Sequence, residues 1–342
     1  MAKKIKKESV FQLIAMVLTV CAFLAAAYAV SRMIIGKNSN GTDTTTYSRQ
    51  TVQAPSLLFE GKDYQMRDNM EIILVMGVDD YESIGDNGSY INSSQADVLY
   101  VFAIDHANKT YQAIQLNRET MTGVKQITGA GTEDVEMMQL CLAHSFGRND
   151  KERCRNTVDA VSGLIFNVPI DHYISLNLSS IAILNEQVGG VTVTIPAGMD
   201  TLDPSFVEGA SVRLDDDQAE SFIRARMELE NDTNEFRMQR QQIFLNAWKQ
   251  QAGDKMNADS GFALNLVLAL SDYMVSDMTA NALTDFANQL SEYEDLGTLY
   301  TQGETLRAGK DRPFSEYYVD EADLERKVII LFYEEAEKQT ES

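Results

Sequence analysis

The chain has 342 residues, with 29 Lys and Arg against 51 Asp and Glu, a formal net charge of -22. Such acidity excludes duplex nucleic acid as a partner, because a phosphate backbone needs a basic footprint. At 44% hydrophobic and 23% charged the composition is globular, with ample core material. Three cysteines (Cys21, Cys141 and Cys154) are too few for a disulfide framework. A Cys141–Cys154 bridge stays open as an alternative to two buried free thiols, and the spacing matches no metal or redox signature.

Residues 1–8 carry Lys3, Lys4, Lys6 and Lys7 and read as a cytoplasmic tail. Residues 9–31 are uncharged, mostly apolar and long enough to span a bilayer. The lysines before this run place the N-terminus inside and the rest of the chain outside, as a single-pass membrane protein. A signal peptide cleaved near Ala27-Tyr28-Ala29 is the competing reading; the length of the run favours an uncleaved anchor. Residues 32–69, rich at first in Ser, Thr, Asn and Gly, are expected to form an extracellular stalk. One domain is expected over 70–342.

Within that domain, strands are expected at 71–78, 98–105, 110–116, 173–178, 191–195 and 298–302. Helices are expected at 133–147, 156–166, 180–188, 215–221, 240–251, 262–275, 280–293 and 321–338. The helix at 133–147 rests on a stripe of Val135, Met138, Leu142 and Phe146. The alternation of strand and helix argues for an α/β chain, a helix–sheet–helix sandwich.

The stretch 219–242 carries four arginines in two pairs. Arg224 and Arg226 follow the apolar pair Phe222-Ile223; if that run is extended, a period of two puts both guanidinium groups on one face. Arg237 and Arg240 are three apart in a helical segment and share a face. Gln241 follows, with Ile243, Phe244 and Trp248 as an apolar stripe. Guanidinium groups bind phosphate or carboxylate bidentately and stay charged. The plainer alternative is surface ion pairing with Glu228, Glu230 and Glu235.

Asp79 and Asp97 stand at strand ends, as do Arg118 and Glu119, where open α/β sheets gather ligands. Carboxylates with few other ligands suit magnesium that shares phosphate oxygens. Each Asp taken singly also reads as a turn or cap residue. There is no P-loop, no HExxH and no GxSxG with a triad. His106, His144 and His172 are scattered and read as structural. The apolar helices read as core, with a lipid-tail tunnel as the other possibility.

These pieces resemble the LytR–CpsA–Psr family of bacterial cell envelopes. GVDD, ADVLYVFAID, LNRET, the block at 168–196, AESFIRAR and FRMQRQQ occur in the family's order. The resemblance implies an α/β/α sandwich with a mixed central sheet and a membrane-anchored phosphotransferase. Such an enzyme moves a glycopolymer from an undecaprenyl-pyrophosphate carrier to peptidoglycan. It implies Mg2+ on Asp79 and Asp97, and a pyrophosphate held by Arg118, Arg224, Arg226, Arg237, Arg240 and Gln241. Arg118, Glu119, Arg224 and Arg226 become the catalytic candidates. The chain departs from the pattern at Asn117 and Glu119, and Gln139-Leu140-Cys141 stands where the family has Lys-[Ile/Leu]-Asn. Those departures support an alternative: a catalytically weakened homologue that binds polyprenyl-phosphate lipid or partners the transfer machinery.

Overall fold

The computed structural model describes residues 55–80, 94–127, 133–225, 229, 233–259, 262–279, 293–310 and 314–336. The expected membrane span at 9–31, Cys21, Arg226 and nearly all of the helix expected at 280–293 lie outside these residues. Among the described residues no helix is long and apolar enough to cross a membrane.

In chain order the elements are β1 (Leu57–Phe59), β2 (Lys62–Met66), β3 (Met70–Val78), β4 (Ala96–Asp105), β5 (Thr110–Gln115), β6 (Met121–Ile127) and β7 (Glu133–Gln139). A 3-10 helix (Leu140–Ser145), α1 (Asp150–Leu164), β8 (His172–Asn177), α2 (Ser179–Val188), β9 (Thr192–Thr194), β10 (Ser211–Arg213), α3 (Asp216–Arg224) and α4 (Asn234–Ala258) follow. The chain continues with α5 (Phe262–Leu270), β11 (Met274–Ser276), β12 (Glu294–Tyr300), β13 (Gly303–Leu306), β14 (Glu316–Val319), α6 (Glu321–Phe332) and β15 (Tyr333–Glu335). The central mixed sheet has the strand order β11-β8-β3-β4-β5-β12. Strand pairing begins at Leu57, inside the stretch read as stalk, because β1 and β2 pair and β15 joins them. The chain divides into two compact units.

The first unit comprises the described residues within 35–76, 86–174 and 296–342. Its apolar strand residues, among them Ile72, Leu74, Met76, Leu99, Val101 and Ile114, are fully buried or nearly so. β4 and β5 pair antiparallel from Tyr100↔Gln115 to Asp105↔Thr110. The helix expected at 133–147 is absent. In its place β7 pairs with β6, and the short 3-10 helix follows. Val135 and Met137, which a helix would have placed on different faces, are both exposed on one face of the β6–β7 ribbon. The turn after β7 is tied back to the end of the preceding segment: Leu140 N–H donates to Thr120 O and Cys141 N–H to Arg118 O. Local periodicity lost here to cross-strand hydrogen bonding, which a heptad-like reading cannot see. α1 packs on β6 and the 3-10 helix, and Asn156 Nδ2 fastens them by donating to Ala143 O and Lys125 O at 2.8 and 3.0 Å. Cys141 and Cys154 are both free and buried.

Asp105, 3% exposed, closes β4. Arg67 donates to it at 2.8 Å, while Asn108 and the main-chain N–H groups of Ala107 and Asn108 donate to the same carboxylate. Burial by itself pushes this carboxyl up. The Asn108 side chain, the main-chain donors and Arg67 outweigh burial and hold it below the usual carboxylate range.

The second unit comprises the described residues within 77–85 and 175–295. α2, α3, α4 and α5 pack together, with the β9–β10 hairpin beside α4. α2 stops at Gly189, which takes φ 83°. The Trp248 indole donates to Leu184 O at 2.7 Å, joining α4 to α2. Phe244 and Trp248 are buried as expected; Ile243 is only half-buried. α3 begins with a capping box between Asp215 and Gln218, and its Ala219, Phe222 and Ile223 are buried. Phe222-Ile223 is therefore helical, and the extended alternative for that pair does not hold. α4 begins earlier than expected, at a Thr233 cap.

Arg240 is 1% exposed. Its Nη1 donates to Phe222 O at 2.6 Å and its Nη2 to Ala225 O, while the group stacks 5.2 Å from the Phe236 ring centre. It thus answers carbonyls that the C-terminus of α3 leaves without helical partners.

Two outcomes follow for stability. Arg240→Lys, whose point charge cannot span both carbonyls, should lose about 2–4 kcal/mol, read as a lower urea midpoint; an unchanged midpoint would remove Arg240 from this role. Asp105→Asn should destabilise by about 2–4 kcal/mol near neutral pH. Because the folded carboxyl titrates below its unfolded value of about 3.9, that difference should be full above about pH 5 and vanish as the pH falls through the folded pKa. A gap between the two proteins that is constant down to pH 2 would contradict it.

Candidate functional site

The expected site residues fall in both units, around Arg224 in the second and around Arg118 in the first.

In the second unit Arg224 is the last residue of α3, where a cation meets the negative end of the helix. Its Nη1 donates to Glu220 Oε1 at 2.5 Å, one helical turn back, and its Nη2 donates to Asp79 Oδ1 at 2.9 Å. Asp79 follows directly on β3, and Asp80 O accepts from Leu178 N–H at 2.8 Å, which fixes this corner of the main chain. The side chains of Arg224 and Asp79 are 31% and 43% exposed, so a ligand from solvent can reach both. A half-exposed pair of this kind is weakly stabilising, and its exposure is what makes it available for binding. Glu220 was not among the expected residues, although its spacing of four from Arg224 on a helix is a readable signal.

The other expected residues of this unit are placed differently. Arg237 is 4% exposed and donates to Asn234 Oδ1. Arg240 is occupied by main-chain carbonyls, and Gln241 is 7% exposed. α4 does bring Arg237 and Arg240 onto neighbouring turns, as the spacing required.

In the first unit Arg118 is the centre. It follows β5 and its side chain is 14% exposed. Nη1 donates to Asp97 Oδ1 at 2.5 Å; Nη2 donates to Gln95 Oε1 and, at 3.0 Å, to Cys141 Sγ. Burial works against the charge of this guanidinium. Cys141, Asp97 and Glu119 more than offset that and raise its pKa. Glu119 is 2% exposed, its N–H donates to Asn117 Oδ1 and its carbonyl accepts from Tyr317 N–H. Such burial suits a group that acts on the charge of Arg118 better than one that exchanges protons with a substrate. Gln139, which stands where the resemblance calls for lysine, ends β7 with its amide donating to Ser315 O at 2.6 Å. Gln95 and Cys141 were missed as partners of Arg118, and no spacing rule connects residues so far apart in the chain.

Arginine paired with carboxylate suits two chemistries. The guanidinium can bind a phosphate oxygen pair, and the carboxylate can offer an oxygen to a hard cation. Among the described residues no group of three or more His, Cys, Asp or Glu side chains could hold a metal by itself. Asp79 is nonetheless of the right donor type for magnesium, which takes one or two carboxylates, waters and substrate phosphate oxygens.

The chain is 27% identical over 198 residues to the polyisoprenyl-teichoic acid–peptidoglycan teichoic acid transferase TagV of Bacillus subtilis, a match that covers 56% of this chain and 45% of TagV. It is 26% identical over 215 residues to the corresponding transferase TagU of Enterococcus faecalis, covering 63% of this chain and 64% of that one. The chain therefore spans less than two thirds of the length of either relative. The crystal structure of B. subtilis TagV superposes with a TM-score of 0.54 at 23% identity, over 78% of this chain and 97% of that one, and so shares the fold. A profile of the LytR_cpsA_psr family matches residues 33–327, most of the molecule, and the chain belongs to that family.

Proposed function

We propose that this protein is a membrane-anchored, extracellular phosphotransferase that moves a glycopolymer from a polyprenyl-pyrophosphate carrier to peptidoglycan. The observation that carries the reading is the half-exposed Arg224, held between Glu220 and Asp79 in a chain of this family. Family membership and the names of the two relatives support the substrate class. The run at 9–31 and the lysines before it support the anchor, with the N-terminus cytoplasmic, and the arrangement as an α/β/α sandwich belongs to the same reading.

In this reading an acceptor sugar hydroxyl attacks the phosphorus that carries the glycan. A new oxygen–phosphorus bond forms, the bond to the bridging oxygen breaks, and the lipid leaves as its phosphate. The hydroxyl proton passes to solvent or to a base outside the residues named here. Arg224 and Arg118 each hold an anionic oxygen and stabilise charge as it develops. Asp79 and Asp97 are the proposed carboxylate donors for Mg2+, which would supply Lewis-acid stabilisation of phosphate oxygens. Arg226 remains a proposed diphosphate ligand by its position in the sequence, as does Gln241. Arg240 holds the end of α3, the helix from which Arg224 extends, and Arg237, buried in α4, donates to Asn234.

The full chain, purified with detergent, should release lipid phosphate from an undecaprenyl-pyrophosphate-linked saccharide in the presence of Mg2+, and EDTA should abolish this. Arg224→Ala should lower kcat/KM by about two orders of magnitude or more. Bound lipid without turnover under any divalent metal would reject the transferase.

The second reading, a weakened homologue that binds the lipid or partners the machinery, rests on Gln139. Its amide is engaged with Ser315 O, and nothing cationic stands at that position. Gln139→Lys should raise the turnover rate about tenfold or more if the missing cation limits the chemistry. No gain from a slow wild type would favour the binding role.

A further inference from the structure

The groups that hold Arg118 differ in charge. Asp97 on Nη1 is a carboxylate; Gln95 and Cys141 on Nη2 are an amide oxygen and a sulfur. The two groups on Nη2 also belong together. The Cys141 thiol lies 3.7 Å from Gln95 Oε1, so thiol, amide and guanidinium close a triangle around Nη2. Cys141 is held rigidly, because it is fully buried and its N–H donates to the carbonyl of Arg118 itself at 2.9 Å. The residue that receives the guanidinium is therefore fastened to the main chain that carries it.

A further carboxylate on Nη2 would fix the orientation of Arg118 equally well but overcompensate its charge. Asp97 and Glu119 already act on this charge, and Gln95 fixes the orientation of Nη2 without adding a further carboxylate. We propose that Gln95 and Cys141 are positioning residues that lock Arg118, and that Gln95 does so without adding a further carboxylate beside the guanidinium that meets a diphosphate group. The assignment of the diphosphate rests on the function proposed above; the locking of Arg118 does not. Neither residue touches the substrate, and both act through Arg118.

The test uses the full chain with Mg2+ and inorganic pyrophosphate as the probe, alongside side-chain NMR of arginine, with the Arg118 signals identified by their loss in Arg118→Lys. In the wild type the Arg118 Nη protons should appear as separate, slowly exchanging signals. The double variant Gln95→Ala/Cys141→Ala should merge them through free rotation and weaken pyrophosphate binding about tenfold, whereas Cys141→Ser should keep them separate. Gln95→Glu, nearly isosteric, should also keep them separate yet weaken pyrophosphate binding about tenfold, because it adds a further negative charge beside the guanidinium.

Separate Nη signals that survive in the double variant would overturn the positioning role. So would a Gln95→Glu protein that binds pyrophosphate as tightly as the wild type. Should the double variant not fold, Gln95→Glu alone decides. A wild type that neither binds pyrophosphate nor turns over lipid would sink the proposed function instead, while the NMR comparison would still decide whether Gln95 and Cys141 hold Arg118.

Discussion

A guanidinium that leaves water stays charged, and everything around it must be arranged to meet that charge. Three of the described arginines show how it is met. Arg240 is buried against main-chain carbonyls at a helix end. Arg67 reaches a carboxylate that is itself satisfied by three further contacts of its own turn. Arg118 is shared between a carboxylate, an amide oxygen and a cysteine sulfur. In each case the partners are supplied by a different part of the chain, so the arginine fixes how those parts meet.

The same comparison separates arginines that build from arginines that can bind. Arg240 has its donors directed at carbonyls and is closed to solvent. Arg224 keeps nearly a third of its side chain exposed and is steadied by Glu220 from its own helix and by Asp79 from the end of a strand. A steadied, accessible cation with a carboxylate beside it is what an anionic, metal-sharing ligand requires. Exposure and partner type, more than the presence of arginine, separate Arg224 from the buried Arg237 and Arg240.

The β6–β7 ribbon shows how tertiary context overrides local pattern. Residues 133–147 carry a convincing helical stripe, yet the pairing of β7 with β6 and the bonds from Leu140 and Cys141 back to Thr120 and Arg118 satisfy the backbone better. That pairing matters beyond the fold. It delivers Cys141 to the Arg118 guanidinium, which a helix starting at Glu133 would not need to do. The correction at Phe222-Ile223 has the opposite cause: there a local signal, the Asp215–Gln218 capping box, was sufficient to start a helix and carry it to Arg224.

The sequence by itself determined the strongly apolar strands β3, β4 and β5, the glycine stop after α2, the helical face shared by Arg237 and Arg240, and the motif order that marks the family. These depend on periodicity, caps and chain order, which are local and therefore written in neighbouring residues. Only the tertiary structure decided that Asp97 pairs with Arg118, that Asp79 pairs with Arg224, and that Gln95 and Cys141 complete the grip on Nη2. Hydrogen bonds between side chains far apart in the chain depend on where the backbone brings them, and spacing along the chain holds no record of that distance.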